Sequence, residues 1–133
     1  MRFISTKTHG VMDYLMCLLL IASPWLFNFD AGGWETWIPV AVGVSGILYS
    51  LFTDYEMGAS RKLSMKTHLW IDGIVGGFLA TSPWFFGFAD YVYLPHLLFG
   101  LAEIAAALTT HLVADDEVAT RGDAYHQHRE SHL

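Results

Sequence analysis

Charge is what this chain is short of. Only 15% of its 133 residues are Asp, Glu, Lys or Arg, against roughly 25% in soluble domains, while 53% are apolar types. A soluble fold of this size has a high ratio of surface to volume and needs far more polar cover than that. Cysteine is almost absent as well. A lone Cys17 within an apolar run excludes an intramolecular disulfide and leaves the redox compartment unread. The seven Lys and Arg form no cluster dense enough for nucleic acid or for an anionic lipid surface, which sets nucleic acid aside as a partner. The net charge of −6 comes largely from the tail and loops, so it says little about partners. No nucleophile elbow, phosphate loop or zincin signature occurs, and nothing marks the chain as an enzyme.

What is there instead is apolar sequence in long runs. The charges gather at the N-terminus, in a middle segment and in the tail, and four apolar stretches lie between them. These cover about residues 11–29, 37–52, 69–88 and 91–112, each near the length a helix needs to cross about 30 Å of hydrocarbon. Turn-forming segments at 28–33, 57–60 and 87–90 separate them. Arg2 and Lys7 ahead of the first run would also suit a signal peptide, but that run has a twin in mid-chain. Lys7-Thr8-His9 returns as Lys66-Thr67-His68, Asp13 as Asp72, and Ser23-Pro24-Trp25 as Ser82-Pro83-Trp84, all 59 residues later (His9 to His68). Phe27 and Phe29 return as Phe86 and Phe88. A repeated segment is structure, not an address.

Orientation follows from the cations. Arg2 and Lys7 precede the first run, Arg61, Lys62 and Lys66 lie between the second and third, and Arg121 and Arg129 follow the fourth. The remaining two loops hold Asp30, Glu35 and Asp90 and no cation. The positive-inside rule then puts both termini and the middle loop in the cytoplasm. The two halves enter from the same side, as parallel copies related by an axis along the membrane normal. The expected fold is an all-α, four-helix transmembrane bundle of two tandem helical hairpins in parallel orientation. Its parts are a first repeat (1–54), a cytoplasmic loop (55–65), a second repeat (66–113) and a polar, mobile cytoplasmic tail (114–133).

With Ser-Pro-Trp at the same place in two apolar runs, and His and Asp matched beside it, the chain resembles the SPW-repeat family of small bacterial membrane proteins. The resemblance covers about residues 7–53 and 66–111. It implies the helix-pair repeat and a place in the membrane, the bacterial inner membrane being the expected one; it implies no established activity.

Function must therefore be read from single residues. Pro24 and Pro83 each remove a backbone donor near the outer end of a span; Ser23 and Ser82 can bond the freed carbonyl, and Trp25 and Trp84 suit the membrane interface. Trp34, Trp37, Tyr91 and Tyr93 would join that belt. A kink with an anchor explains the motif more simply than a ligand groove between the two kinks. His9 with Asp13, and His68 with Asp72, are i,i+4 pairs near the cytoplasmic ends of the first and third spans. They either satisfy each other near the first-turn N–H groups or form a symmetric metal or proton site, with Asp54 and His111 on the same membrane face. No cysteine-rich or Glu-x-x-His spacing selects a metal, so none is assigned, and the cofactor is left open.

Glu103 lies near the middle of the fourth span, where a charge costs several kcal/mol. It must be neutral, paired or facing a hydrated gap, and its counterpart in the first half is near Gly46. His96, Glu103 and His111 share one helical stripe with Gly100 and Ala107. Gly73 and Gly77, Gly46 and Ser50, and Ala102 and Ala106 are small-residue pairs that permit close helix approach, inside the bundle ahead of between protomers. His126, His128 and His132 in the tail read as solvated residues rather than a metal site.

Three function classes compete. A non-enzymatic membrane module, an accessory subunit or homo-oligomeric scaffold with the lipid bilayer and other membrane chains as partners, leads because the loops are short and no catalytic motif is present. The alternatives are a proton or ion conductor using His96, Glu103, His111 and the His/Asp pairs, and a metal or haem binder using His9 and His68.

Overall fold

Two serines set the start of the structure. Ser5 and Ser64 accept hydrogen bonds from the Thr8 and Thr67 N–H groups and cap the helices that follow them. The computed structural model describes residues 1–131, except for the side chain of His126, and forms five helices. These are α1 (Thr6–Leu26), α2 (Trp34–Leu51), α3 (Met65–Phe85), α4 (Leu94–Thr109) and α5 (Asp115–Glu130). The caps start α1 and α3 four or five residues before the apolar runs begin, so His9 and His68 fall in the first helical turns, as their i,i+4 pairing with Asp13 and Asp72 requires. At the other end, α4 starts later than its apolar run, because Tyr91 and Val92 are held in a turn by the Phe88 carbonyl and Pro95 opens the helix.

Helix α1 packs along α2 and α3 along α4, and the two pairs meet where α2 touches α3 and α1 touches α4. The loop residues ahead of α1 and α3 tie the pairs together in matching fashion. Ile4 pairs with Thr110 at the end of α4, and Leu63 with Thr53 after α2. The Arg2 guanidinium reaches the Ala107 and Thr110 carbonyls at the C-terminus of α4, where a cation suits the helix dipole.

The Ser-Pro-Trp segments sit in the last turns of α1 and α3 and behave alike. Proline at 24 withdraws the donor that the Leu20 carbonyl would have used, and the Ser23 hydroxyl supplies one at 2.8 Å. Ser82 does the same for Leu79 at 2.8 Å. Both serines and both prolines are buried, while Trp25 and Trp84 point outward. Asn28 and Gly87 then take left-handed conformations, φ 57° and 73°, and turn the chain back.

Close helix approach rests on glycines other than the expected pair. A Cβ on Gly76 would lie 2.8 Å from the Gly100 carbonyl of α4, and one on Gly43 would lie 2.6 Å from the Cys17 carbonyl of α1. At Gly73 and Gly77 a Cβ would meet nothing within 4 Å. The internal contact that spacing assigned to that pair is made by Gly76, one residue before Gly77, because the buried face of α3 is fixed by His68, Asp72, Leu79 and Pro83. Of the other pairs, Gly46 and Ser50 are buried, Ala102 is exposed and Ala106 half-buried.

The polar tail is helical. Asp115, Asp116 and Glu117 occupy the first turn of α5 and His128 and Arg129 its last, the arrangement the helix dipole favours. Asp115 anchors it by accepting from the Thr6 N–H at 3.0 Å and from His111 at 2.8 Å. Burial pushes the Asp115 carboxyl up, but the bonds from His111 and Thr6 outweigh it and hold it below the usual carboxylate range. Among the described residues α1 is the one helix both long and apolar enough to cross a membrane; α4 is apolar but has 16 residues. Helix α3 has the length, yet carries Lys66, His68 and Asp72.

Candidate functional site

The deepest polar cluster is built from the first turns of α1 and α3. His9 and Asp13 are one turn apart on α1, His68 and Asp72 one turn apart on α3, and the two pairs face each other. All four side chains are buried, both imidazoles completely. Pairing runs across the helices as well as along them. His9 Nε2 lies 3.1 Å from Asp13 Oδ1 and 3.1 Å from Asp72 Oδ2. His68 Nε2 lies 2.9 Å from Asp13 Oδ2 and 3.3 Å from Asp72 Oδ2. The rings stand nearly perpendicular, at 78° with centroids 5.5 Å apart.

Each ring is held from behind by a threonine of the other helix pair. Thr53 Oγ1 is 2.7 Å from His68 Nδ1, and Thr110 Oγ1 is 2.8 Å from His9 Nδ1. Both hydroxyls also donate to a carbonyl one turn back, Tyr49 and Ala106, each at 2.7 Å. A hydroxyl has one proton, and a carbonyl has none to give. The threonine oxygen must therefore accept from the imidazole, so each histidine carries its proton on Nδ1 and turns the Nε2 position toward the carboxylates. The Tyr49 hydroxyl donates to the remaining Asp72 oxygen at 2.8 Å.

A lid closes the site from the tail side. Tyr55 is buried against it, its ring tilted 41° to that of His68 with centroids 5.5 Å apart, and Met65 is buried in the same apolar cluster as Tyr55. Gly10 has no side chain because Tyr55 and Met57 lie where its Cβ would be. Glu56 accepts from the Thr6 hydroxyl, and Tyr14 donates to the Met57 carbonyl at 2.9 Å, tying the lid to α1.

The histidine–glutamate stripe of α4 does not form a chain. His96 is buried at the far end of the helix, where its Nε2 donates to the Glu35 carbonyl that Pro39 leaves free, at 2.9 Å. Its ring packs on Phe29 and Phe88. His111 is half-exposed and bonded to Asp115. Glu103 stands beside Gly76 of α3, between them. Asp54 pairs with Arg61 at the surface instead of joining the cluster. Of the tail histidines, His128 is exposed on α5, while His132 and the side chain of His126 lie outside the described residues.

Sequence spacing singled out all four members of the cluster and missed its supports. Thr53 and Thr110 are 57 residues apart, the same step that relates Gly46 to Glu103, and that match was the available signal. Tyr49 and Tyr55 have no counterparts in the second half and left no such trace.

These features define an all-helical protein in which two hairpins share a closed polar centre. The chain belongs to the SPW-repeat family: the model of the SPW repeat domain matches residues 7–110. No curated protein and no solved structure gives a match.

Proposed function

We propose that this chain is a non-enzymatic integral membrane module, in which α1 to α4 all cross the bilayer, and that it works by assembling with other membrane helices, a second copy of itself first among them. The outward surfaces of the four helices support the membrane reading. Leu15 and Leu18 on α1, Val44 and Leu48 on α2, Trp70 and Ile74 on α3, and Leu98, Leu101 and Leu108 on α4 are all exposed. A surface so apolar is costly in water and natural in lipid. Helices of 16 to 21 residues rise about 24–32 Å, which is near the hydrocarbon thickness. Trp25, Trp34, Trp37, Trp84, Tyr91 and Tyr93 gather at the end away from the His/Asp cluster and suit the outer interface. The cations at the other end support a cytoplasmic setting for that end and for both termini. The matched Ser-Pro and Thr-His contacts support two parallel, duplicated hairpins.

One observation carries the assembly reading: Gly73 and Gly77 form a Gly-x-x-x-Gly with open space in front of both, on the outer face of α3. Lipid chains gain nothing from such a groove, whereas a helix backbone fits it closely. The test compares two neighbours. Gly77→Leu should leave thermal stability near that of the wild type and abolish assembly, read as complex mass in detergent or nanodiscs. Gly76→Leu should lower the unfolding temperature, because α4 is in its way. A wild type that is monomeric in both media, or an assembly that survives Gly77→Leu, would overturn the reading.

A further inference from the structure

We propose that His9, Asp13, His68 and Asp72 bind one divalent transition-metal ion, of the kind that accepts mixed imidazole and carboxylate donors as zinc does, and that this ion clamps the two helix pairs together. The site is independent of the assembly surface on α3.

Three observations converge on it. The first is the tautomer. Both histidines spend Nδ1–H on a threonine, so when neutral each presents a bare Nε2 lone pair to carboxylate oxygens 2.9–3.3 Å away. Lone pairs facing lone pairs repel, and something positive belongs between them. A ring N–H held by an outer partner is also how metal-ligating histidines are oriented.

The second is the convergence. Each Nε2 is near one oxygen of both aspartates, and one N–H cannot point straight at two acceptors. One ion in the middle meets all four groups at once. Their donor atoms lie within 4.8 Å of one another. Ligands about 2.0–2.1 Å from a tetrahedral ion stand about 3.3 Å apart, close to the four nitrogen–oxygen distances here and to the perpendicular setting of the rings.

The third is charge. With both imidazoles in the neutral form that a metal ligand requires, the two buried carboxylates carry two negative charges that need a counter-charge, because uncompensated charge is expensive away from water. A divalent ion cancels both. Four protein donors with Tyr55 sealing the approach leave no open position, which is the pattern of a structural rather than a catalytic ion.

The experiment uses the full chain in detergent, stripped with a chelator and titrated with Co²⁺, whose visible bands are strong in four-coordinate sites. One Co²⁺ per chain with such bands, displaced by one Zn²⁺, is expected. Asp13→Asn should lose the bands. Because that variant removes a buried charge and can misfold, a milder pair accompanies it. Thr53→Val touches no donor atom and should weaken Zn²⁺ binding roughly 10–100-fold, while Thr53→Ser keeps it. Replacing His126, His128 and His132 with alanine should change nothing. The proposal is overturned if the wild type shows no four-coordinate Co²⁺ bands and retains no stoichiometric Zn²⁺, the outcome for a cluster held by protons alone. It is equally overturned if the bands vanish with the tail histidines, or if Thr53→Val binds as tightly as Thr53→Ser.

Discussion

A single hydroxyl decides much at the residue scale. Ser23 and Ser82 each fill the vacancy that the next residue creates, so serine and proline in this motif form one device. A carbonyl freed by proline deep in a helix pair costs about 1–3 kcal/mol if left unpaired. Ser23→Ala should lower stability by that order in thermal unfolding, and adding Pro24→Ala should recover most of it, since alanine restores the N–H to Leu20. A double variant no more stable than Ser23→Ala would show the serine acting by other means. The motif itself was legible in the sequence, and so was the reason for its serine. The His–Asp pairs were legible too, because i,i+4 spacing puts two side chains on one helix face whatever surrounds it. Which faces then meet is a tertiary fact that spacing within one helix does not carry, and so the crossing of His9 to Asp72 and His68 to Asp13 was not.

At the scale of elements, the two hairpins solve one packing problem in opposite ways. Where α1 meets α2, Cys17 on the first helix fills the space beside Gly46 on the second. Where α3 meets α4, the glycine is on the first helix, Gly76, and the larger residue on the second, Glu103. The positions correspond, Cys17 to Gly76 and Gly46 to Glu103, so bulk has moved from one helix to its partner while the gap is kept. Glu103 thus has a steric reason for being where it is: it occupies the space beside Gly76 that Cys17 occupies beside Gly46 in the first hairpin. Gly46→Ala alone should cost about 1–3 kcal/mol through overpacking against the Cys17 sulfur. Combined with Cys17→Ala it should cost less than the sum of the two changes. Strict additivity in thermal unfolding would mean the two residues do not touch. Apolar periodicity marks only where the apolar run begins, and the caps at Ser5 and Ser64 carry α1 and α3 beyond it, to include the His–Asp pairs whose i,i+4 spacing already required helix there.

For the whole molecule, one plan accounts for the polar and apolar features together. Trp25, Trp34, Trp37, Trp84, Tyr91 and Tyr93 gather at one end, every Lys and Arg at or beyond the other, and the buried His/Asp centre lies just inside the charged end. The central claim is that the chain crosses the bilayer four times with this centre on the cytoplasmic side. Cysteine labelling in intact cells tests it most directly. With Cys17 replaced by alanine, a cysteine at Asp90 or Gly32 should react with an impermeant maleimide from outside, and one at Ser60 or Ser131 only after the membrane is opened. Labelling of positions 60 and 90 from the same side would contradict the account.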